Sequence, residues 1–302
     1  MLSIFKKKKT IVTHNGPFHT DDIFAVATLC LVFEKEYSLK IIRTRDPAEI
    51  NKADLVVDVG DSYDTDNNRF DHHQEGRAGV RDNGIPYASF GLVWNKFGEQ
   101  LCGDDEIARS IETKLVLPID ALDNGVEVTK PVHDGIYGYT IGDMFRSFRP
   151  TWKEGIVDID RVFIESVQLA KKILKREIIK AKDEIQAMEA VMQIYKGSKD
   201  KRLLILNKYY PTDIVMGKIP EALLVVFPES VNSNWCIKTV RDKENSFESK
   251  ILLPDEWAGK RDSELENITG VKGAVYCHPG RFLAVAKTKE AAVALAQKAL
   301  NS

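Results

Sequence analysis

The chain lacks any apolar run approaching the roughly 18 residues of a membrane-spanning helix. Its best candidate, Ile23 to Phe33, is short and meets Glu34 and Lys35. A soluble protein is expected. Cysteine is scarce: Cys30, Cys102, Cys236 and Cys277 lie far apart and form no CxxC pair, which argues against both a zinc knuckle and a disulfide scaffold. Their surroundings read as core positions in a reducing, cytoplasmic compartment. No one sign of charge prevails, since 43 Lys and Arg against 45 Asp and Glu leave a formal net charge of -2. The globally basic profile of many nucleic-acid binders is therefore missing, although a local basic groove or a metal cluster can still hold phosphate. Internal repeats and low-complexity tracts are absent as well. No long apolar stretch follows the basic cluster Lys6 to Lys9 before His14, so the cluster reads as a solvated leader and not as a secretory signal.

What is present is globular. With 302 residues, 43% apolar and 29% charged, the chain can bury a sizeable core, most simply in two domains. Short apolar runs alternate with helical patterns in the first half. Strands are expected at Thr10 to Thr13, Leu39 to Arg43 and Leu55 to Val59, and helices at Thr20 to Phe33, Ala88 to Leu101 and Asp105 to Leu122. This alternation predicts an α/β fold with a largely parallel sheet flanked by helices. From Phe163 through Val167, Ala170 and Leu174 to Tyr195, apolar or small residues recur at steps of three or four, the stripe of a helix of about 50 Å. Lys171, Lys172, Lys175, Arg176, Lys180 and Lys182 fall largely outside the stripe and read as a solvated face or, alternatively, as one wall of a nucleic-acid groove. Further strands at Leu203 to Leu206, Ala222 to Phe227, Cys236 to Val240, Gly273 to His278 and Phe282 to Ala286, with a closing helix at Lys289 to Leu300, predict a smaller C-terminal α/β domain. The boundaries expected are 1–157 for the first domain, 158–197 for the connecting helix and 198–302 for the second domain.

Four segments of the first half concentrate metal-ligand residues where a parallel sheet offers a site, beyond the carboxyl ends of its strands. His14 to Asp22 follows the first strand, and Gly16 and Pro17 let His14, His19 and Asp21 converge. Asp58 follows the apolar residues Val56 and Val57 and precedes a glycine. Asp71, His72 and His73 form the third segment; adjacent histidines on an extended segment point to opposite faces, so one is expected to bind metal and the other to orient it or the substrate. Asp120 and Asp123 end a helix, where carboxylates oppose the helix dipole unless a cation compensates. Imidazole and carboxylate donors without thiolate suit manganese, and less selectively magnesium, zinc, iron or cobalt. A carboxylate shared by two such ions, about 3.5 to 4 Å apart, would generate hydroxide near neutral pH and neutralise a phosphoryl oxygen.

The sequence Asp71-His72-His73 resembles the signature of the DHH phosphoesterase superfamily, and the other three segments fall in that superfamily's order. The closer similarity is to the melanocyte proliferating gene one family, carried by the segments from His14 to Asp22, Val56 to Gly60, Arg69 to Gln74, Ser89 to Gly98 and Ile119 to Gly125. It extends to Val275 to Lys287 and so covers most of the chain. The resemblance implies a catalytic first domain and a second domain that binds substrate beyond the scissile phosphate. It implies two manganese ions, one on His14 and His19, the other on Asp21 and His72, with Asp58 bridging. It matches Asp123 to the fourth position while leaving Asp120 open, and sets His73 beside the scissile phosphate as a proton donor or phosphate ligand, catalytic together with Asp58 and His72. His278 and Arg281 occupy the place of the family's substrate segment, where Arg281 could clamp a phosphate or simply close a tight turn. Arg146 and Arg149 are further candidates for the cleft. In the related manganese pyrophosphatases an Asp stands where this chain has His19, a departure that weighs against pyrophosphatase activity.

The activity implied is 3′-to-5′ RNA exonuclease, a hydrolase using a metal-bound hydroxide on RNA or a short oligonucleotide. Two alternatives stay open: a small-molecule phosphohydrolase acting on pyrophosphate or a dinucleotide, and a regulatory protein that binds metal or nucleic acid without turnover. A homo-oligomer is compatible with either.

Overall fold

Ile11, Val12 and Thr13 are all buried, the continuous run of a strand covered on both faces. They end β1, Lys7–Thr13, of a computed structural model that describes residues 6–211, 219–229, 233–243 and 248–302. β1 pairs in parallel with β2 (Tyr37–Arg43) on one side and β3 (Leu55–Val57) on the other. Two short strands, β4 (Tyr63–Asp64) and β5 (Arg69–Phe70), complete the order β2-β1-β3-β5-β4. β5 runs parallel to β3, and β4 is antiparallel at the edge. The largely parallel sheet expected from the sequence is therefore present. The basic cluster is less of a leader than expected: Lys7 pairs with Tyr37 in the sheet, and the Lys9 ammonium lies 4.9 Å from the Phe33 ring centre and 4.7 Å from that of Tyr37.

Helix α1 is Thr20–Phe33, buried from Asp21 to Leu31 almost without interruption. A helix apolar on every side belongs in the interior. α2 (Pro47–Lys52) starts on Asp46, whose side chain accepts from the Ala48 amide at 2.9 Å. α3 is Ser89–Cys102, closed by Gly103 in the left-handed region. The single helix expected from Asp105 to Leu122 is three pieces: α4 (Asp105–Ile111), a π turn (Glu112–Val116) and α5 (Leu117–Asp123). Pro118 explains the interruption. Its ring would meet the carbonyl four residues earlier in an α-helix and it has no N–H to give, and the wider π turn takes up the misfit. A short α6 (Ile141–Arg146) follows.

Contacts divide the chain into two compact units, Met1–Lys182 and Asp183–Ser302. The division falls inside α7, Ile159–Gly197. In the first unit Phe163, Val167, Ala170 and Leu174 are fully buried. In the second, Val191 with Met188, Met192, Ile194 and Tyr195 packs against Leu204, Val225 and Phe227.

The second unit holds β6 (Leu203–Ile205), β7 (Leu224–Pro228), β8 (Trp235–Thr239), β9 (Ala274–Cys277) and β10 (Leu283–Ala286) in the order β6-β7-β8-β10-β9. Of these described strands only β6 and β7 pair in parallel. Period two decides the faces: Leu224 and Val226 join the cluster that contains the helix residues Ala292, Leu295 and Ala296, whereas Val225 and Phe227 face Val191. Those helix residues belong to α9 (Lys289–Leu300), which Thr288 caps; α8 is Asp262–Thr269. Among the described residues no helix is long and apolar enough to cross a membrane.

Candidate metal centre

Three adjacent parallel strands stop at the same edge of the first sheet, and each is followed at once by a ligand-type residue. His14 follows β1, Asp58 follows β3, and Asp71, His72 and His73 follow β5. The start of α1 adds His19, Asp21 and Asp22, and the end of α5 adds Asp123. Asp58 sits at φ 56°, a left-handed conformation for a residue with a side chain. Such strain costs on the order of 1–3 kcal/mol, and it persists where the surroundings over-determine it.

Asp58 is the hub. Its Oδ2 is 3.3 Å from His14 Nε2, and its Oδ1 is 3.3 Å from His72 Nε2 and 3.5 Å from His73 Nδ1. Ser89 donates its hydroxyl to Asp58 Oδ1 at 3.1 Å. His14 Nδ1–H donates to the Asn15 carbonyl at 3.0 Å, which turns Nε2 toward Asp58 and toward Asp22 at 3.1 Å. His72 Nε2 also lies 3.3 Å from Asp123 Oδ2. Ligand atoms lie within 4.8 Å of one another in three sets: His14, His19 and Asp58; Asp58, His72 and His73; and His19, Asp21 and Asp123.

The paired histidines do not point to opposite faces. Their ring centres are 4.3 Å apart and both rings reach Asp58. The strand ends at Phe70, and Asp71 then gathers the turn: its Oδ1 accepts from the His72 amide at 2.8 Å, the His73 amide at 3.2 Å and His73 Nδ1 at 2.8 Å, while Oδ2 accepts from the Asp61 amide at 2.7 Å.

Several of these polar atoms are buried without a hydrogen-bond partner of good geometry: both carboxylate oxygens of Asp21, Asp22 Oδ2 and His72 Nε2. The last two have only the ion-pair approaches just given. Uncompensated buried polar groups are costly. Burial raises the Asp21 carboxyl well above its usual range, and the charges of Asp58, Asp123 and Asp22 raise it further. Asp22 is also raised, by burial first, with His14 opposing. Burial would lower the His14 imidazole, but Asp22 and Asp58 outweigh it and raise the group to about 10. Asp58 shows the reverse balance: burial favours its neutral form, and the imidazoles of His14 and His72 hold it far below the carboxylate range. The cluster thus carries more negative charge than its own imidazoles neutralise comfortably. Divalent cations on nitrogen and oxygen donors fit that deficit, and the donor set fits them.

Asp120 takes another role. Arg81 approaches its Oδ2 at 2.8 Å, and the Gly91 amide donates to its Oδ1 at 3.0 Å. A Cβ on Gly91 would lie 1.8 Å from Asp120 Oδ2, so only glycine admits this approach. The cation that the helix-end carboxylates call for is, at Asp120, an arginine. Asp123, one turn later, faces His72 instead.

Arg149 is turned onto the loop between β1 and α1, donating to the Phe18 carbonyl with its guanidinium 5.5 Å from the Phe18 ring centre. Arg43, which sequence reasoning passed over, clamps the same loop by donating to the Gly16 carbonyl at 2.6 Å and pairing with Asp160 at 2.6 Å. Arg146 is exposed, 3.5 Å from Asp143. Both Arg146 and Arg149 line an open cleft of about 1450 Å³ that His19, His72, His73 and Asp123 also line. His278 and Arg281 belong to the second unit. There Gly280 donates its amide to His278 Nδ1 at 2.9 Å, and Arg281, at φ 58°, pairs with Asp255 and donates to the Leu253 carbonyl. Asp22, Asp71 and Ser89 also went unassigned by the sequence reading. The doubled acid at 21–22 was the available signal for the first, and the serine opening a helix for the last.

Residues 10–300 match the family MYG1_exonuc, described as an uncharacterised protein family (UPF0160). The chain belongs to this family. A MYG1 protein of Dictyostelium discoideum is 30% identical over 97% of this chain and 96% of its own length. A MYG1 protein of Chlamydia trachomatis is 29% identical, covering 97% and 96% respectively. The MYG1 exonuclease of Homo sapiens is 26% identical over 96% of this chain and 85% of its own. The resemblance drawn from the ordered segments is thereby borne out, and MYG1 family membership assigns the chain to the hydrolases, among nucleases and phosphoesterases.

Proposed function

We propose that the chain is a divalent-metal-dependent phosphodiester hydrolase that removes nucleotides from the 3′ end of RNA or short oligoribonucleotides, with manganese as the preferred ion. The observation that carries this reading is the set of buried, unsatisfied oxygens and nitrogen on Asp21, Asp22 and His72 around a shared Asp58. His14 and His19 would hold one cation, Asp21, His72 and Asp123 the other, and Asp58 both. A pair of such cations supplies Lewis acidity, lowering the pKa of water and neutralising phosphoryl charge.

The remaining work falls to the chain's own groups. His73 is raised above its usual pKa, chiefly by its hydrogen bond to Asp71. With Nδ1 committed to Asp71, Nε2 is the nitrogen that can give a proton to the departing oxygen, and Asp71 keeps the ring oriented. Arg146 and Lys130 on the cleft offer charge to flanking phosphates. Arg43 and Arg149 fix the loop that carries His14 and His19. A cleft of about 1450 Å³ with tyrosine and isoleucine in its walls exceeds what pyrophosphate can fill, which favours an oligonucleotide over that alternative.

The test is incubation of a 5′-labelled oligoribonucleotide with the chelated protein, then with manganese restored. A ladder shortened from the 3′ end only when metal is present is expected. No cleavage with manganese, magnesium, cobalt, iron or zinc would falsify the proposal.

A further inference from the structure

One wall of the cleft differs in kind from its floor. The floor is buried carboxylate and imidazole. The wall is the irregular segment 129–140 that runs into α6, and it holds Val132, Ile136, Tyr137 and Tyr139 largely exposed, at 91%, 66%, 77% and 74%. Large apolar groups left in water beside a reactive centre mark a binding surface more often than chance exposure does. The segment is anchored where it meets α6. Asp143 Oδ2 accepts from the Thr140 amide at 2.9 Å and from its hydroxyl at 2.7 Å, and the Tyr139 hydroxyl donates to the Asp143 carbonyl at 3.3 Å. The Tyr139 ring is thereby held by its polar end while its faces stay open.

Cations share this cleft. Arg77, Lys130 and Arg146 line it together with the two tyrosines. Planar faces interleaved with positive charge, beside a centre for phosphodiester cleavage, match a ligand in which phosphates and flat bases alternate. We propose that Tyr137 and Tyr139 form a stacking wall for unpaired nucleobases next to the bond that is cut, so that the protein takes single strands and refuses paired ends. The inference rests on the phosphodiesterase reading above. Bases within a duplex already stack on their neighbours and have no free face to offer, whereas an unpaired strand can splay its bases onto a ring. A second copy of the chain is a poorer occupant, because a two-fold contact through this wall sets the same cationic patch against itself.

The experiment uses the full chain and separates binding from turnover. With metal chelated, fluorescence anisotropy compares a labelled single-stranded oligoribonucleotide with an abasic ribose-phosphate strand of equal length. The base-bearing strand is expected to bind about ten-fold tighter or more. Changing Tyr137→Ala and Tyr139→Ala together should bring it down to the abasic level, and Tyr137→Phe with Tyr139→Phe should keep the preference. With manganese present, the double alanine variant should raise KM for the single strand about ten-fold, with a blunt duplex a poor substrate of both proteins. Equal binding of the two strands, or binding of neither, overturns the wall. RNA cleavage indifferent to the alanine pair overturns it too, and leaves the reaction standing. Base-selective binding without cleavage under any metal does the opposite. If sedimentation shows a dimer that the alanine pair dissolves while strand affinity stays the same, the wall is an interface between copies and the proposal fails.

Discussion

The two sheets have five strands each, yet among the described residues only the first collects ligand-type side chains. In the first, β1, β3 and β5 are parallel neighbours, so their carboxyl ends lie side by side and His14, Asp58 and His72 arrive at one place. In the second, β7, β8, β10 and β9 alternate in direction. Successive strand ends there fall on opposite edges, so neighbouring strands do not deliver the residues that follow them to one place. Direction of pairing, more than residue content, decides which sheet can build a centre from short sequence motifs. The second sheet instead commits both faces to packing.

The sharpest way to break this contrast is to compare one residue from each region. Asp58→Asn keeps a residue that tolerates the left-handed backbone but cannot bridge cations, and turnover on RNA should fall about a hundred- to a thousand-fold. Arg281→Ala should act mainly through KM and far more weakly. If it costs kcat as much as Asp58→Asn does, the second unit takes part in chemistry and the contrast fails.

Within the first region, Asp120 and Asp123 are three residues apart and should respond in opposite ways. Asp120→Ala leaves the buried Arg81 with Glu112 as its one carboxylate partner and the Gly91 amide without its acceptor, and denaturant unfolding should show a loss of about 1–3 kcal/mol. Asp123→Ala should leave the metal-free protein at or above wild-type stability, since it removes a charge that raises Asp21, and should abolish much of the stabilisation by manganese. Similar unfolding curves for the two variants would undo the distinction.

A third expectation concerns pH. A carboxyl whose folded pKa is raised keeps its proton after the unfolded chain has lost its own. The metal-free protein therefore loses stability as pH rises from the ordinary carboxylate range through the raised values of Asp21 and Asp22. Cations displace those protons, so the rise in Tm on adding manganese should grow from mildly acidic to mildly alkaline pH. A rise that stays flat over that span, or shrinks, counts against a cation at these carboxylates.

The smallest effect is expected at the long helix. Lys171 and Lys175 both pair with Glu34 at the end of α1, so the basic face of α7 there is partly consumed in packing. Lys171→Met should shift stability by less than about 1 kcal/mol and leave RNA affinity unchanged. A clear loss of affinity would restore that face as a nucleic-acid groove.

Much of the frame was legible because local signals agreed. The apolar run of Thr20 to Phe33 and the Thr288-capped helix of Lys289 to Leu300 have the bounds that the pattern predicts. Three of the four ligand segments were legible because each sits directly after a strand, and the fourth because its carboxylates end a helix. What escaped was the non-local part. Period alone cannot see that Pro118 widens a turn, nor that Arg81 comes from a distant loop to claim Asp120. The same-side placement of His72 and His73 depends on Asp71 capturing three donors of its own turn, which the rule for extended segments does not anticipate.

The left-handed backbone at Asp58 carries a last consequence. Glycine would relax that conformation, and it would also withdraw the charge that presses on Asp21 and Asp22. Yet it would strip His14 and His72 of the carboxylate they pair with. Because the folded protein holds Asp58 charged far below the ordinary carboxylate range, the lost pairing outweighs the relaxed backbone, and metal-free Asp58→Gly should melt lower than the natural chain. The left-handed turn at Asp58 is thus held shut by the imidazoles around it, so the pairs that set the charge of the cluster also fix its shape.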